Sequence, residues 1–473
     1  MGTINSAFSL ISQGLDADQA ALSIVANNVA NANTPGYTEE TPNWQENQPI
    51  EVNGISYGDG VTETGATSVR DSVLLERLDQ QQQLASASST RLTALNDVQA
   101  LFTPDSGSTT ATAGDIGSDI TGFFNSFGSL EADPTNNALR QDVLSTATTL
   151  AGDISNAAGS LNSQRSALDQ EGASVASQVN SLTGAIAQLN TQIESTSPDE
   201  DAGALEDQRQ QDLSQLSQLV GINQVTTEDN GLEITTTSGQ LLVSGGSSVQ
   251  LTTGTVNGVT DLFLGGTDIT KQLAGGGGQL GGYFTARDQD IPNVLSSLDQ
   301  LAYGISTSVN AQNNKGTDLD GVSGTAAAPL NIFNKPAAVA GSAESMRVVM
   351  TDPNQIAAAG AGDGTGDNSN ATAMANLANE AIAGGKTPTD YYSNFVTTLG
   401  STVSGVQTEN TAQNASVTQL QTQNDALSSV SLNDEASNMQ KLERSYQAAS
   451  QVFSILNTIM ASALNLGDQT TVT

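Results

Sequence analysis

The chain has 473 residues, of which 37% are hydrophobic and only 14% charged, so its polar surface must be Ser, Thr, Asn and Gln rather than ions. Fifty acidic against 14 basic residues give a formal charge of −36, which repels phosphate backbones and anionic membrane surfaces and sets nucleic-acid binding aside. With no Cys and no His, disulfides, thiolate chemistry, Ser-His triads and imidazole zinc sites are excluded.

Near the start, apolar residues recur at Ile4, Phe8, Ile11, Leu15, Leu22, Val25 and Val29, the three-four spacing of a helix whose seam packs on other helices. Asp18 is the one seam position that breaks the rhythm, and apart from Asp16 and Asp18 no charge occurs through Thr34. The stretch "NNVANANTPGY" then ends the helix at Thr34, Pro35, Gly36 and Tyr37. Pro35 lacks an N–H and pushes Thr34 away from helical angles, while Gly36 permits a sharp turn. Residues 38–69, with Pro42, Pro49, "NG" and "GDG", predict an extended linker or short hairpins.

Helix is expected again from Val69, with Leu74, Leu78, Ala85, Leu92, Leu95 and Phe102 on its apolar face, until the low-complexity "TPDSGSTTATAGD". Helical patterning runs from Ile116 to Leu219 with a break around Pro198. From Gly221 the character changes: "INQVTTEDNGLEITTTSGQLLVSGGSSVQLTTGTVNGVTDLFL" alternates apolar and polar residues between turn signals and predicts strands. A helix is expected over Gln289 to Asn313 and a strand at "MRVVM", Met346 to Met350. From Phe395 helix dominates, and Met439, Leu442, Tyr446, Ala449, Phe453, Leu456, Met460 and Ala463 repeat the seam without a miss. Ser431 and Asp434 form a capping box at the start of this last helix, with Glu435 also suited to the positive end of its dipole.

The predicted fold is mainly α with an inserted β-rich domain. Three domains are expected: one with its linker from residues 1–66 and 431–473, a helical one from 67–221, 279–315 and 370–430, and a β-rich one from 222–278 and 316–369. Isolated helices of Ser, Asn, Ala and Thr are marginal in water, so both termini are expected to be largely disordered in the free monomer and to fold on assembly.

Chemistry is sparse. "GTDLDGVSG" places Asp318 and Asp320 two apart, but the first and twelfth positions of a calcium loop fall on Gly316 and Ala327, so a turn is expected. "GAGDGTG" lacks the Lys and the strand-to-helix setting of a phosphate loop and reads as surface. No carboxylate pair sits in the context of a buried general acid. No catalytic residue, metal ligand or cofactor is expected, and the chain is not read as an enzyme. The first basic residue is Arg70, too late for a Sec signal, and "MGTINS" is read as a chance match to a myristoylation pattern. "VFSILNTIMASALNL" is too short and too interrupted to span a membrane, so no membrane insertion is expected.

The stretch "NNVANANTPGY" resembles the N-terminal signature of flagellar axial proteins, and "DEASNMQKLERSYQAASQVFSILNTIM" resembles their C-terminal helix. Between them, "FFNSFGSLEADPTNNALRQDVL", "ALEDQRQQDLSQLSQLVGI", "GGQLGGYFTARDQDIPNVLSSLDQLAYGISTSVNAQNNKGTDLDG" and "DPNQIAAA" are similar to segments of the flagellar hook-associated protein 1 family, which joins hook to filament. The resemblance implies coaxial domains, with residues 1–66 and 431–473 as the inner axial one around a coiled-coil core of the two terminal helices and the β-rich one outermost, a ring of copies, and contacts with hook protein and hook-associated protein 3. It also implies an export chaperone at the C-terminal helix and passage through the flagellar type III apparatus to the outside of the cell. The alternatives are another axial protein (hook-associated protein 3, flagellin-like or hook protein) or a secreted adhesin on the outer domain. Two departures stand out: Glu39 and Glu40 follow the turn where the family has a basic residue, and Asn433 replaces the first of three acids at the last helix.

Overall fold

The three-four periodicity of the two ends becomes two long helices, α1 (Gly2–Asn31) and α12 (Leu432–Asp468), and the rest of the chain is strung between them. In order follow β1 (Glu40–Glu46), β2 (Ile50–Val52), β3 (Ile55–Tyr57), β4 (Val61–Ser68), α2 (Ser72–Ala100), α3 (Ile116–Ala132), α4 (Asn137–Glu194) and α5 (Gly203–Leu219). Strands β5 (Ile222–Thr226), β6 (Leu232–Thr236), β7 (Leu241–Ser244), β8 (Ser247–Ser248), β9 (Leu251–Val256), β10 (Val259–Leu264) and β11 (Thr267–Asp268) come next. The helices α6 (Thr270–Leu273), α7 (Gly278–Thr285), α8 (Ile291–Asn313), α9 (Ser342–Ser345), α10 (Ser369–Asn376) and α11 (Pro388–Ser428) complete the chain before α12. The computed structural model describes residues 2–52, 55–103, 115–196, 202–227, 230–256 and 258–468; the "NG" turn at 53–54, most of the low-complexity stretch and the break around Pro198 lie outside them.

The chain forms two compact units, each assembled from separated segments: Met1–Leu84, Ser177–Leu251 and Gln413–Thr473 make the first, and Ala85–Ala176 with Thr252–Ala412 the second. In the first unit α1 lies beside α12 and also touches the ribbon of β1 and β4. That ribbon is antiparallel, pairs Glu40 with Ser68 and Glu46 with Val61, and slips register between Pro42 and Trp44, where a proline interrupts the ladder. Of the strands expected after Gly221, those from Leu251 onward join a three-stranded sheet of order β11-β10-β9, and those before it form a sheet of order β5-β6-β7-β8. Its inner face buries Ile222, Leu232, Ile234 and Val243. Neutral amides fasten helices to this sheet: Asn190 Nδ2 donates to Leu232 O at 2.9 Å and Gly245 O at 3.0 Å, and Gln83 Oε1 accepts the Ile222 N–H at 2.6 Å.

The second unit holds the larger apolar core, in which Phe123, Phe127 and Phe333 are wholly buried and stack edge to face. Asp115 caps α3 by accepting the Gly117 N–H. Arg140, 1% exposed, is satisfied by carbonyls, Pro134 O at 2.8 Å and Ile356 O at 2.6 Å among them. The helix predicted from Gln289 starts at Ile291 and is preceded by a π turn, Ala286–Asp290. The extra residue in that turn points Arg287 inward, where its guanidinium meets Asp169 at 2.8 Å, Asp261 at 3.3 Å and Asp288 at 2.8 Å, and lies over the Phe284 ring.

Two local predictions are corrected. "MRVVM" forms no strand: Val348 makes one isolated bridge to Phe333, while Met346 and Met350 are buried as apolar plugs. α2 begins at Ser72, not Val69, because Asp71 Oδ1 accepts the Leu74 N–H at 3.0 Å and fixes the start.

Candidate functional site

The predicted interface residues fall on α1 and α12, within the first unit. Val25 is buried, Phe8, Ile11, Leu15 and Leu22 are half-buried, and Val29 is exposed; the Ile4 side chain lies outside what is described. On α12, Met439, Leu442, Ala449, Phe453, Leu456 and Met460 are half-buried, and Tyr446 and Ala463 are exposed. The Phe8 and Phe453 rings meet at 4.3 Å between centroids. Toward the turn the buried positions described on α1 are Ala17, Ala21, Val25 and Asn28; Val25 lies on the predicted seam, and Ala17, Ala21 and Asn28 each stand one residue before a seam position. A straight helix drifts against a 3.5-residue repeat, and small residues are carried under the ribbon side where the apolar pattern gave no signal.

The corner beyond α1 is knitted by side-chain amides. Thr34 N donates to Asn31 O at 2.8 Å and Tyr37 N to Thr34 O at 3.2 Å, and Gly36 has φ of 79°, a left-handed value suited to glycine. Gln211 on α5 donates to Pro35 O at 2.8 Å. Asn28, 1% exposed, is saturated: Nδ2 donates to Glu40 O at 2.8 Å and Glu435 Oε1 at 3.0 Å, and Oδ1 accepts from Tyr37 OH at 2.7 Å and Glu40 N at 3.0 Å. One neutral side chain thus binds α1, the turn, β1 and the first turn of α12. Burial first, then Glu40, Asp207, Glu435 and Glu39, push the Tyr37 hydroxyl far above the ordinary phenol range, so it stays a donor.

Ions add a second clasp. Asp207 accepts Thr38 N at 2.9 Å and Thr38 Oγ1 at 2.7 Å and pairs with Arg70 at 2.6 Å; Arg70 also pairs with Glu206. Beneath the turn a cleft of about 320 Å³ is lined by Tyr37, Arg70, Asp79, Gln210 and Asp425. Asp79, 3% exposed, accepts from Gln210 at 3.0 Å through Oδ2, while its Oδ1 has no partner; burial raises its carboxyl to about 7, with Glu76 adding to the rise.

Among the described residues no His, Cys, Asp and Glu grouping could hold a metal ion, and no helix is long and apolar enough to cross a membrane. Asp318 Oδ1 accepts Asp320 N at 3.0 Å and Val322 N at 2.7 Å, the turn expected there. In the glycine-rich loop the Gly360 N–H donates to Asp367 Oδ1 at 2.7 Å rather than facing an anion site.

Comparison with known proteins locates this architecture. Residues 106–327 match the family described as "Flagellar hook-associated protein FlgK helical domain", and residues 12–38, the second half of α1 with its turn, match "Flagella basal body rod protein". The flagellar hook-associated protein 1 of Salmonella typhimurium is 27% identical, with 96% of this chain and 98% of that protein covered. Over nearly its full length the chain resembles flagellar hook-associated protein 1. Hook-associated protein 1 of Bacillus subtilis is 26% identical, covering 96% of each chain. The solved flagellar hook junction protein FlgK of Burkholderia pseudomallei shares the fold, with TM-score 0.64 and 19% identity over 75% of this chain and all of that one. The resemblance read from the terminal and central motifs is borne out, and the chain is a structural protein of the bacterial flagellum. Hook-associated protein 1 relatives are matched end to end, which favours this family over hook protein, flagellin or an adhesin.

Proposed function

We propose that this chain is the junction subunit between hook and filament, assembling as a ring through α1 and α12 and required for filament growth. The near full-length match to hook-associated protein 1 relatives carries the reading. The returning pair α1 and α12, with Tyr446, Ala463, Val29 and the further residues Val452, Ile455 and Ile459 left exposed on a single copy, supports assembly through these helices. Its expected neighbours are copies of itself, hook protein and hook-associated protein 3, with an export chaperone on α12 before assembly. The expected location is outside the cell, reached through the flagellar type III apparatus, and the reading assigns the chain no catalytic step. Coaxial layering of the three sequence domains, with residues 222–278 and 316–369 outermost, belongs to the same proposal.

Deletion of the gene tests it. Hooks that lack filaments, with flagellin released into the medium, are expected; filaments of normal length on the deletion strain would overturn the junction role.

A further inference from the structure

The ribbon of β1 and β4 carries acids and large apolar groups on one side and no base. Its register sets Trp44 opposite Glu63 and Glu46 opposite Val61, so these four side chains share one face as a checkerboard of two apolar groups and two carboxylates. Trp44 is 48% exposed, and Val61 is exposed as well. The other face is tied to α1, since Thr62 Oγ1 donates to Asn47 Oδ1 at 2.7 Å and Asn47 Nδ2 to Gln13 Oε1 at 3.0 Å. No Lys or Arg occurs before Arg70, and Arg70 is paired with Glu206 and Asp207, so neither ribbon acid meets a base among the described residues.

The complement stands at the start of α2. Val73, Arg77 and Leu84 are exposed, Val73 at 65%, and their spacing of four and seven residues puts them on one stripe of the helix. Arg77 is in no ion pair among the described residues, and Val73, Leu74, Gln80 and Gln81, three and four residues away, offer it no acid. The other exposed bases described in the first unit, Lys441 and Arg444, have no large exposed apolar neighbour at those spacings. The exposed Val452, Ile455 and Ile459 of α12 lie in a stretch without Lys or Arg, Ser445 to Gly467, and would leave the ribbon acids facing neutral chain. The α2 stripe therefore matches the ribbon in both apolar contact and charge. Both faces are open on a single copy, and the short link from Ser68 to Ser72 joins their elements, so every copy carries the two at a fixed offset.

We propose that the Trp44, Glu46, Val61 and Glu63 face of one copy docks on the Val73, Arg77 and Leu84 stripe of a second copy, with Arg77 set against the Trp44 ring and the two carboxylates. This rests on the reading of the chain as a ring-forming subunit. A chain of charge −36 repels its own copies, and in this pairing a base of one meets acids of the next. A guanidinium gains from an aromatic face and from a carboxylate together. The two faces differ, so the contact is head to tail, and a head-to-tail contact repeated by rotation closes a ring.

The test uses charge reversal and cross-linking in the full chain. In the deletion strain, Arg77→Glu is expected to lower the number of filaments about tenfold or more, and adding Glu46→Lys with Glu63→Lys to restore them. As purified free protein the Arg77→Glu variant is expected to melt as the parent does, because Arg77 is exposed and in no ion pair among the described residues of its own copy. Wild-type filament numbers from Arg77→Glu, or no restoration by the Glu46→Lys and Glu63→Lys changes, would overturn the pairing. Because the chain has no native Cys, Glu63→Cys combined with Gln80→Cys reads the contact without reference to filaments. Oxidation of the concentrated protein is expected to give a ladder of linked copies that neither single variant gives. Absence of the ladder overturns the copy-to-copy contact, also where Arg77→Glu loses filaments, since Arg77 would then face a different protein. Normal filaments on the deletion strain would count against the junction reading alone.

Discussion

Asn28 shows what a neutral side chain achieves where a charge would fail. Its amide offers two donors and an acceptor with two lone pairs, and all are used by groups from three elements. The sequence made Asn27 to Asn33 legible as uncharged hydrogen-bonding surface before a helix stop. Which groups they hold was not legible, because Glu435 lies 407 residues away. Asp79 is the opposite case, a carboxylate buried with one oxygen unpartnered. Its folded value of about 7 stands above its ordinary 3.8, so the native chain keeps a proton that the unfolded chain releases. The contribution is fully present below the ordinary value and is lost as pH rises through 7. No His titrates in this window. Asp119, also raised to about 7 by burial and by Asp153 and Asp115, acts in the same direction. Urea unfolding is therefore expected to show lower stability at pH 8 than at pH 5, with Asp79 accounting for about 2–3 kcal/mol of the difference. Asp79→Asn should remove that share, and an unchanged difference in the variant would contradict it. Glu39→Lys, set beside Asp434 and Glu435, is expected to raise the stability of the free protein by about 0.5 kcal/mol, read as a small rise in melting temperature.

At the scale of elements, periodicity was a good guide where one face is buried and a poor one where backbone geometry departs from the ideal. The alternating residues after Gly221 did become β5 to β10, and the uninterrupted pattern of α12 became one helix. The π turn before α8 leaves no mark in an apolar repeat, and the buried stripe of α1 runs through alanines. "MRVVM" has strand composition, yet both its Met side chains are drawn into a core and only Val348 bridges. Arg287, 1% exposed, is expected to be indispensable to its unit: Arg287→Met would strand Asp169, Asp261 and Asp288 and destabilise by about 3–5 kcal/mol, measurable by calorimetry. The terminal helices should behave differently. With few fully buried side chains on α1 and one on α12, amides of residues 4–30 are expected to exchange rapidly in dilute monomer while α3 stays protected. Strong protection of residues 4–30 there would refute it.

For the whole molecule the informative feature is interleaving. The second unit is complete once residue 412 is in place, whereas the first needs residues from both ends of the chain. A chain stopped after Val430 is accordingly expected to keep protected amides in α3 and α8 and to lose protection over Tyr37 to Glu40, where the Glu40 N–H is held by Asn28, since Glu435 is gone. Equal protection of that stretch with and without α12 would show that the corner closes by itself. The hydrogen bond from Asn28 to Glu435 joins residues 407 apart, so closing it confines nearly the entire chain as a loop. It cannot form until the last helix has been synthesised and has reached the right place. The corner is thus sensitive to the length of the chain: a copy truncated before α12 cannot seat Glu435 against Asn28, and the Asn28 amide is left one acceptor short.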